Sequence, residues 1–230
     1  MTFVPQGSSW SRPLVRAIED FAGILTTGDL TAPVPSCPGW TLADLGNHLR
    51  GVHLWAAHAV AEGNPQGTSE PVTTEQLADA YLDAGRHLLD VMEAAGADLP
   101  CWTFGADRTV AFWWRRQTHE VTLHLYDALL SQGRQAAWSI DPRLAWDGVD
   151  EVATMFYPRQ VRAGRVQPLA GTLRLRSTDA DGSAPVVTIG AAEPVVELTG
   201  TAAELLLTLW KRRPAADPAA AALLGSAITP

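Results

Sequence analysis

Cysteine is scarce in this chain, lysine nearly absent, and long apolar runs are missing. The 230 residues include two cysteines, Cys37 and Cys101, far apart and in no CxxC pair. That spacing excludes a disulfide-stapled scaffold and predicts two reduced thiols packed as small buried residues. Lys211 is the only lysine beside sixteen arginines, and the formal net charge is −8. So acidic a balance argues against nucleic acid as a partner, because such binding is driven by basic surfaces that release counterions. The longest basic run, KRR at 211–213, reads as a helix C-terminus with cations at the negative end of the dipole. No apolar run reaches the roughly 18 to 20 residues of a membrane span, and MTFVPQGSSW lacks the basic-then-apolar pattern of a secretory signal. A cytoplasmic protein with no membrane partner is expected.

What is present is apolar periodicity. Hydrophobic residues make up 47% of the chain, and nine tryptophans supply bulk for a core or a ligand cleft. From Arg12 to Thr27, residues Leu14, Ile18, Phe21, Ala22 and Leu25 recur at helical spacing, and Gly28 closes the run. After the Pro-rich loop APVPSCPGW, Thr41 and Asp44 have the spacing of a capping box, with Trp40 and Leu45 placed as a hydrophobic staple. A second helix is predicted over 42–62. Residues 74–96 give a third helix, with Leu77, Tyr81, Leu88, Leu89 and Met92 in one stripe, and a fourth runs from about Ala111 to Leu130. Four amphipathic helices of similar length predict a four-helix bundle.

Beyond residue 140 the pattern changes. A helix near Pro142–Phe156 precedes alternating stretches at 172–177, 185–190 and 194–199, separated by DADGS and AAE, which are strand and turn signals. Thr201 and Glu204 then open a capping box for the apolar helix AAELLLTLWKR. The Ala-rich stretch after Pro214 reads as a short helix or a frayed tail. The fold class expected is α plus α+β: a bundle over 1–138 and a small α+β domain over 139–230.

The chemistry concentrates in RRQTHEVTLHLYDAL, residues 115–129. At 100° per residue Glu120 and His124 lie 40° apart on one face, whereas His119 and His124 are 140° apart, so this is not the HExxH zinc-protease motif. Asp127 lies on the same side as His124, where a carboxylate orients an imidazole. Arg116, one turn before Glu120, offers the competing arrangement of a surface ion pair. A divalent metal needs a third ligand. His48 supplies a candidate: flanked by Leu45, Leu49 and Val52, it is expected on a core-directed stripe of the second helix. Trp113 and Trp114 are read either as core or as the rim of an opening in the bundle.

CPGWTLADLGNHLRGVH (37–53), followed by RRQTHEVTLHLYDA (115–128), resembles the mycothiol-dependent maleylpyruvate isomerase family, among the DinB-like metal-binding four-helix bundles. GTAAELLLTLWKRRP (200–214) resembles the end of that family's second domain, which is sterol-carrier-like. The resemblance implies a metal, usually zinc, held by His48, Glu120 and His124, with Asp44 and Asp127 as candidate orienting carboxylates. It also aligns Arg212 with an active-site arginine. The match departs at Lys211, where related sequences commonly have glycine in LWGRRP.

Two imidazoles and one carboxylate suit Zn²⁺, and also Ni²⁺, Co²⁺ or Fe²⁺. The family's implied cosubstrate is mycothiol, whose thiol the metal turns into a thiolate, the nucleophilic form. In an isomerase the thiolate adds to the conjugated double bond of maleylpyruvate, allows rotation and leaves; in an S-transferase it stays on the electrophile. The partners expected are thus a small-molecule thiol and an electrophile. The alternative from another class is a non-catalytic protein whose bundle retains a metal while the second domain holds an apolar ligand or a partner.

Overall fold

A computed structural model describes residues 8–180, 186–225 and 228–230, with the side chain of Ser8 left aside. The chain divides into two compact units, Met1–Trp138 and Ser139–Pro230.

The first unit is a bundle of α1 (Ser8–Thr27), α2 (Leu42–Glu62), α3 (Thr74–Ala95) and α4 (Val110–Ser131). Helix α1 packs on α3 and α4, and α2 packs on the same two. It begins four residues before the predicted start and carries Pro13 inside it. Buried Trp10, its ring edge-on to His119 with centroids 5.4 Å apart, anchors that added turn to α4. The capping box at α2 is present in full: Asp44 N donates to Thr41 Oγ1, and Thr41 N donates to Asp44 Oδ2 at 2.8 Å. Gly63, at φ 67°, ends the helix in the left-handed region that glycine enters without penalty. The predicted apolar stripe of α1 is buried, as are Leu77, Tyr81, Leu88 and Met92 of α3. The loop before α2 is held by Val34 N to Trp40 O and Trp40 N to Cys37 O.

The second unit contains α5 (Pro142–Glu151), α6 (Tyr157–Arg162), strands β1 (Thr172–Ser177), β2 (Val187–Ile189) and β3 (Val195–Gly200), then α7 (Ala202–Leu209) and α8 (Pro218–Leu223). The helix predicted to stop at Phe156 does not end there. Five residues wound as a π-helix, Val152–Phe156, lead directly into α6. The sheet order is β2-β1-β3; β1 runs antiparallel to β2 and parallel to β3, pairing Leu173 with Ile189 and Val196. Along β1, Leu173 and Leu175 are buried while Arg174 and Arg176 are exposed, the period-two alternation of a sheet with one covered face. The inner residues meet Ala145 and Val149 of α5 and Leu205 and Leu209 of α7 in one core. The DADGS turn lies partly outside the described residues. The Ala-rich tail forms α8, with Asp217 Oδ1 accepting from Ala220 N at its start. Among the described residues no helix is long and apolar enough to cross a membrane.

Candidate metal centre

Helix α4 carries an unusual load of polar side chains inward: Arg116, Gln117, Thr118, His119, Thr122 and Asp127 are all buried. Glu120 and His124 stand one turn apart on its side toward α2, and α2 brings His48 to them. His48 Nε2 lies 3.3 Å from Glu120 Oε1, and His124 Nε2 lies 3.5 Å from the same oxygen. The two imidazoles meet edge to face with centroids 5.4 Å apart. One donor atom from each of the three residues lies within 4.8 Å of the other two. Two nitrogens and one oxygen converging this closely fit a borderline-soft divalent ion.

The second oxygen of Glu120 is engaged elsewhere. Arg116 Nη2 donates to Oε2 at 2.8 Å, from a side chain only 4% exposed. The ion pair foreseen between these residues therefore forms, but inside the bundle rather than on its surface. It is compatible with metal binding, because Oε1 stays turned to the imidazoles. Burial opposes charge on Glu120, yet the Arg116 guanidinium and hydrogen bonds from His124 and His48 outweigh it and hold the carboxyl well below its usual range. The donor is thus ionised at neutral pH.

His124 is oriented from behind. Its Nδ1–H donates to Asp127 Oδ2 at 2.8 Å, which leaves Nε2 to present a lone pair in the neutral ring. Asp127, fully buried, is itself fixed by Ser36 Oγ, which donates to Oδ1 at 2.5 Å. Burial favours the neutral imidazole, but hydrogen bonds with Asp127, Cys37 and Glu120 prevail and raise the His124 pKa well above its ordinary value. Binding a metal at Nε2 must displace that proton.

His48 is not core-directed as its neighbours imply. Leu45 and Leu49 are fully buried, but His48, although it faces Glu120 and His124 of α4, has a side chain 34% exposed. It sits in a cleft of about 680 Å³ lined also by Trp40, Asp44, Asn47, Val52, Trp55 and residues 67–69. The Trp40 ring lies against it at 4.9 Å between centroids. Asp44 shares the cleft, but its Oδ2 is occupied by Thr41 N and Thr41 Oγ1, at 2.8 and 2.7 Å. Arg212 belongs to the second unit. Its Nη1 donates to Trp210 O at 2.9 Å, and its guanidinium lies 5.7 Å from the Trp210 ring centre. Trp113 and Trp114 are buried, so of the two readings they are core.

Three neighbours escaped the sequence reading. Ser36 gives no signal of its own, since only the folded loop carries it to Asp127. Cys37, expected to be a buried filler, is half-exposed and hydrogen-bonds with His124; Cys37, His124 and Asp127 form a second close group of donors. His53, fully buried, pairs through Nδ1 with Gln117 Oε1 at 2.9 Å, and burial pushes its pKa down to about 4.

Residues 11–129 match a family model described as the mycothiol maleylpyruvate isomerase N-terminal domain, and residues 143–226 match the corresponding C-terminal domain. Two crystal structures share the fold across 90% of this chain and 90% of theirs. One, of the mycothiol-dependent maleylpyruvate isomerase, is 12% identical with a TM-score of 0.64. The other, of a histidine-to-alanine mutant of that isomerase, is 11% identical with a TM-score of 0.65. No curated protein sequence matches the chain.

Proposed function

The chain belongs to the mycothiol maleylpyruvate isomerase family, whose N-terminal domain model covers residues 11–129, and from that premise we propose that it is a metal-dependent, thiol-using enzyme of the isomerase or S-transferase kind. The observation that supports this reading best is the convergence of His48 Nε2 and His124 Nε2 on Glu120 Oε1 at 3.3 and 3.5 Å. Zn²⁺, or a divalent ion such as Ni²⁺ in its place, would lower the pKa of a bound thiol and present it as a thiolate.

The chain's own residues do the rest. Asp127 holds His124 in the tautomer that offers Nε2, and Arg116 turns Glu120 so that Oε1 faces the ligand position. The cleft beside His48 admits a small thiol such as mycothiol, and Trp40 against the imidazole shields that side from water. The thiol proton leaves to solvent through the cleft. The sulfur lone pair then forms a bond to the alkene carbon of a conjugated electrophile while the π electrons move onto its carbonyl. Rotation about the new single bond and reversal of the same electron flow return the thiol with the double bond inverted, which is isomerisation. Protonation of the adduct instead completes an S-transfer. Asp44 is left to its cap, and Arg212 is a candidate only through its place in LWKRRP.

The test is elemental analysis of wild type beside folded His48→Ala and Glu120→Ala, followed by incubation with mycothiol and maleylpyruvate. Near-stoichiometric zinc lost in both variants, with thiol-dependent product formation in wild type, supports the reading. A stable, metal-free wild type would overturn it and give the lead to a binding protein.

A further inference from the structure

Two hydrogen-bonded pairs join α2 to α4, and they differ in kind. The first is His48 with Glu120, at 3.3 Å and only partly buried. The second is His53 with Gln117: the imidazole Nδ1–H donates to Gln117 Oε1 at 2.9 Å, and both side chains are buried. His53 follows His48 along α2, and Gln117 precedes Glu120 by less than one turn along α4, so the second pair lies beside the first on the interior side of the bundle.

The first pair is the wrong one to hold the helices in alignment, because His48 Nε2 and Glu120 Oε1 are the very atoms that would turn to an ion. The second pair is free of that duty, and it is kept at a cost. His53 Nε2 and Gln117 Nε2 are buried with no hydrogen-bond partner among the described residues, and desolvating such groups without a bond is unfavourable. Two hydrocarbon side chains would fill the same space without that penalty. Among the described residues of α2 that are buried, His53 alone has a polar side chain; the others are Leu, Ala, Val and Gly, which pack without demanding one alignment of the helices. Burial also keeps the imidazole neutral, with its pKa pushed down to about 4, so it acts as a donor of fixed direction rather than as a charge. A buried polar contact retained against stability is a known device for fixing the register of packed helices.

We propose that His53 and Gln117 are a positioning pair, whose bond fixes α2 against α4 so that His48, Glu120 and His124 are already gathered when an ion arrives. The inference rests on the metal-centre reading above. Neither residue belongs to the donor set. Ligands held in place beforehand bind more tightly than ligands that must be collected, so breaking the pair weakens metal binding although all three donors remain.

The experiment measures the zinc affinity of the full chain by competition with a chelating dye, beside urea unfolding of the same protein after chelator treatment. The double variant His53→Leu with Gln117→Leu removes both partners together and so leaves no new unpaired group. It should unfold at the same urea concentration as wild type or a higher one when metal-free, yet bind zinc about tenfold more weakly. His53→Asn keeps an N–H donor where Nδ1 stands and should stay within about threefold of wild-type affinity. Should the double variant not fold, Gln117→Asn, which draws the amide back from His53 by one methylene, carries the same expected loss of affinity. Wild-type affinity in a folded variant that lacks the bond, or a loss in His53→Asn as large as in the double variant, would overturn the inference and leave the metal centre standing. A wild type that binds no zinc would instead sink the metal-centre reading and the positioning role with it.

Discussion

The bundle helices are of two kinds. Helices α1 and α3 separate apolar from polar residues, and their buried faces are almost wholly hydrocarbon and aromatic. Helices α2 and α4 do not: between them they bury His53, Arg116, Gln117, His119 and Asp127. Taking such groups out of water is costly unless each finds a partner. Most do, through Arg116 to Glu120, His124 to Asp127 and His53 to Gln117. The rule of polar outside and apolar inside is broken along the two helices that face the candidate metal, which is where departures from local consistency are expected to mark function. One pair of helices builds the scaffold, and the other carries a polar seam through it.

The strongest test of that division removes the buried cation. Arg116→Met leaves Glu120 without its counter-charge, and breaking a buried pair from one side typically costs several kcal/mol. Chelator-treated protein should lose roughly 3 to 4 kcal/mol in urea unfolding, and the loss should shrink on adding zinc, since the ion replaces the missing positive charge. An equal loss with and without zinc would mean that Glu120 does not face the ion.

Nearly as large is the expected effect of pH through His53. Its folded pKa, about 4, lies below the unfolded value near 6.5, so the unfolded chain binds the extra proton between those limits. Stability from this group is present in full above about 6.5, falls as pH drops, and is lost by about pH 4, for a total of roughly 3 kcal/mol. His53→Phe should flatten that part of the stability curve measured by chemical denaturation. An unchanged slope would place the titration elsewhere in the seam.

A smaller effect separates orientation from ligation. Asp127→Asn keeps the shape beside His124 but removes the carboxylate that fixes its tautomer, and losses of about 10 to 100-fold in metal affinity follow from such changes. Because Asp127 also helps to raise the His124 pKa, the variant should need a less alkaline pH to reach its full affinity. Competition titration against a chelating dye at several pH values reads both effects. Unaltered affinity would assign Asp127 to the fold alone.

Much of this was legible in the residues, for reasons that differ by element. The capping boxes at Thr41 and Thr201 mark the starts of their helices to the residue because side chain and backbone settle the cap within four positions, whereas α7 stops at Leu209, short of the expected AAELLLTLWKR. Glu120 and His124 fall on one face by helical arithmetic, and β1 shows its alternation directly. The exposure of His48 was not legible: its apolar neighbours suggested full burial, and only the folded bundle shows it lining a cleft. The bond from Ser36 to Asp127 joins positions 91 residues apart, a distance over which no local pattern speaks. The continuation of α5 through a π-helical segment into α6 was equally silent, since Pro158 reads as a breaker unless the turn before it widens.

The least of the expected effects bears most directly on the division between the helices, because it concerns the one polar group α3 does bury at the seam. Tyr81 is fully buried, its ring 5.3 Å from that of His53, and its hydroxyl has no hydrogen-bond partner among the described residues. Burial accordingly pushes its pKa well above the usual phenol value. If α3 is purely scaffold, the hydroxyl is a desolvated group with nothing in return, and Tyr81→Phe should stabilise the protein by about 1 kcal/mol without altering metal content. Thermal unfolding with elemental analysis decides the point. A destabilised variant, or one that loses metal, would instead join Tyr81 to the polar seam and extend it from two helices to three.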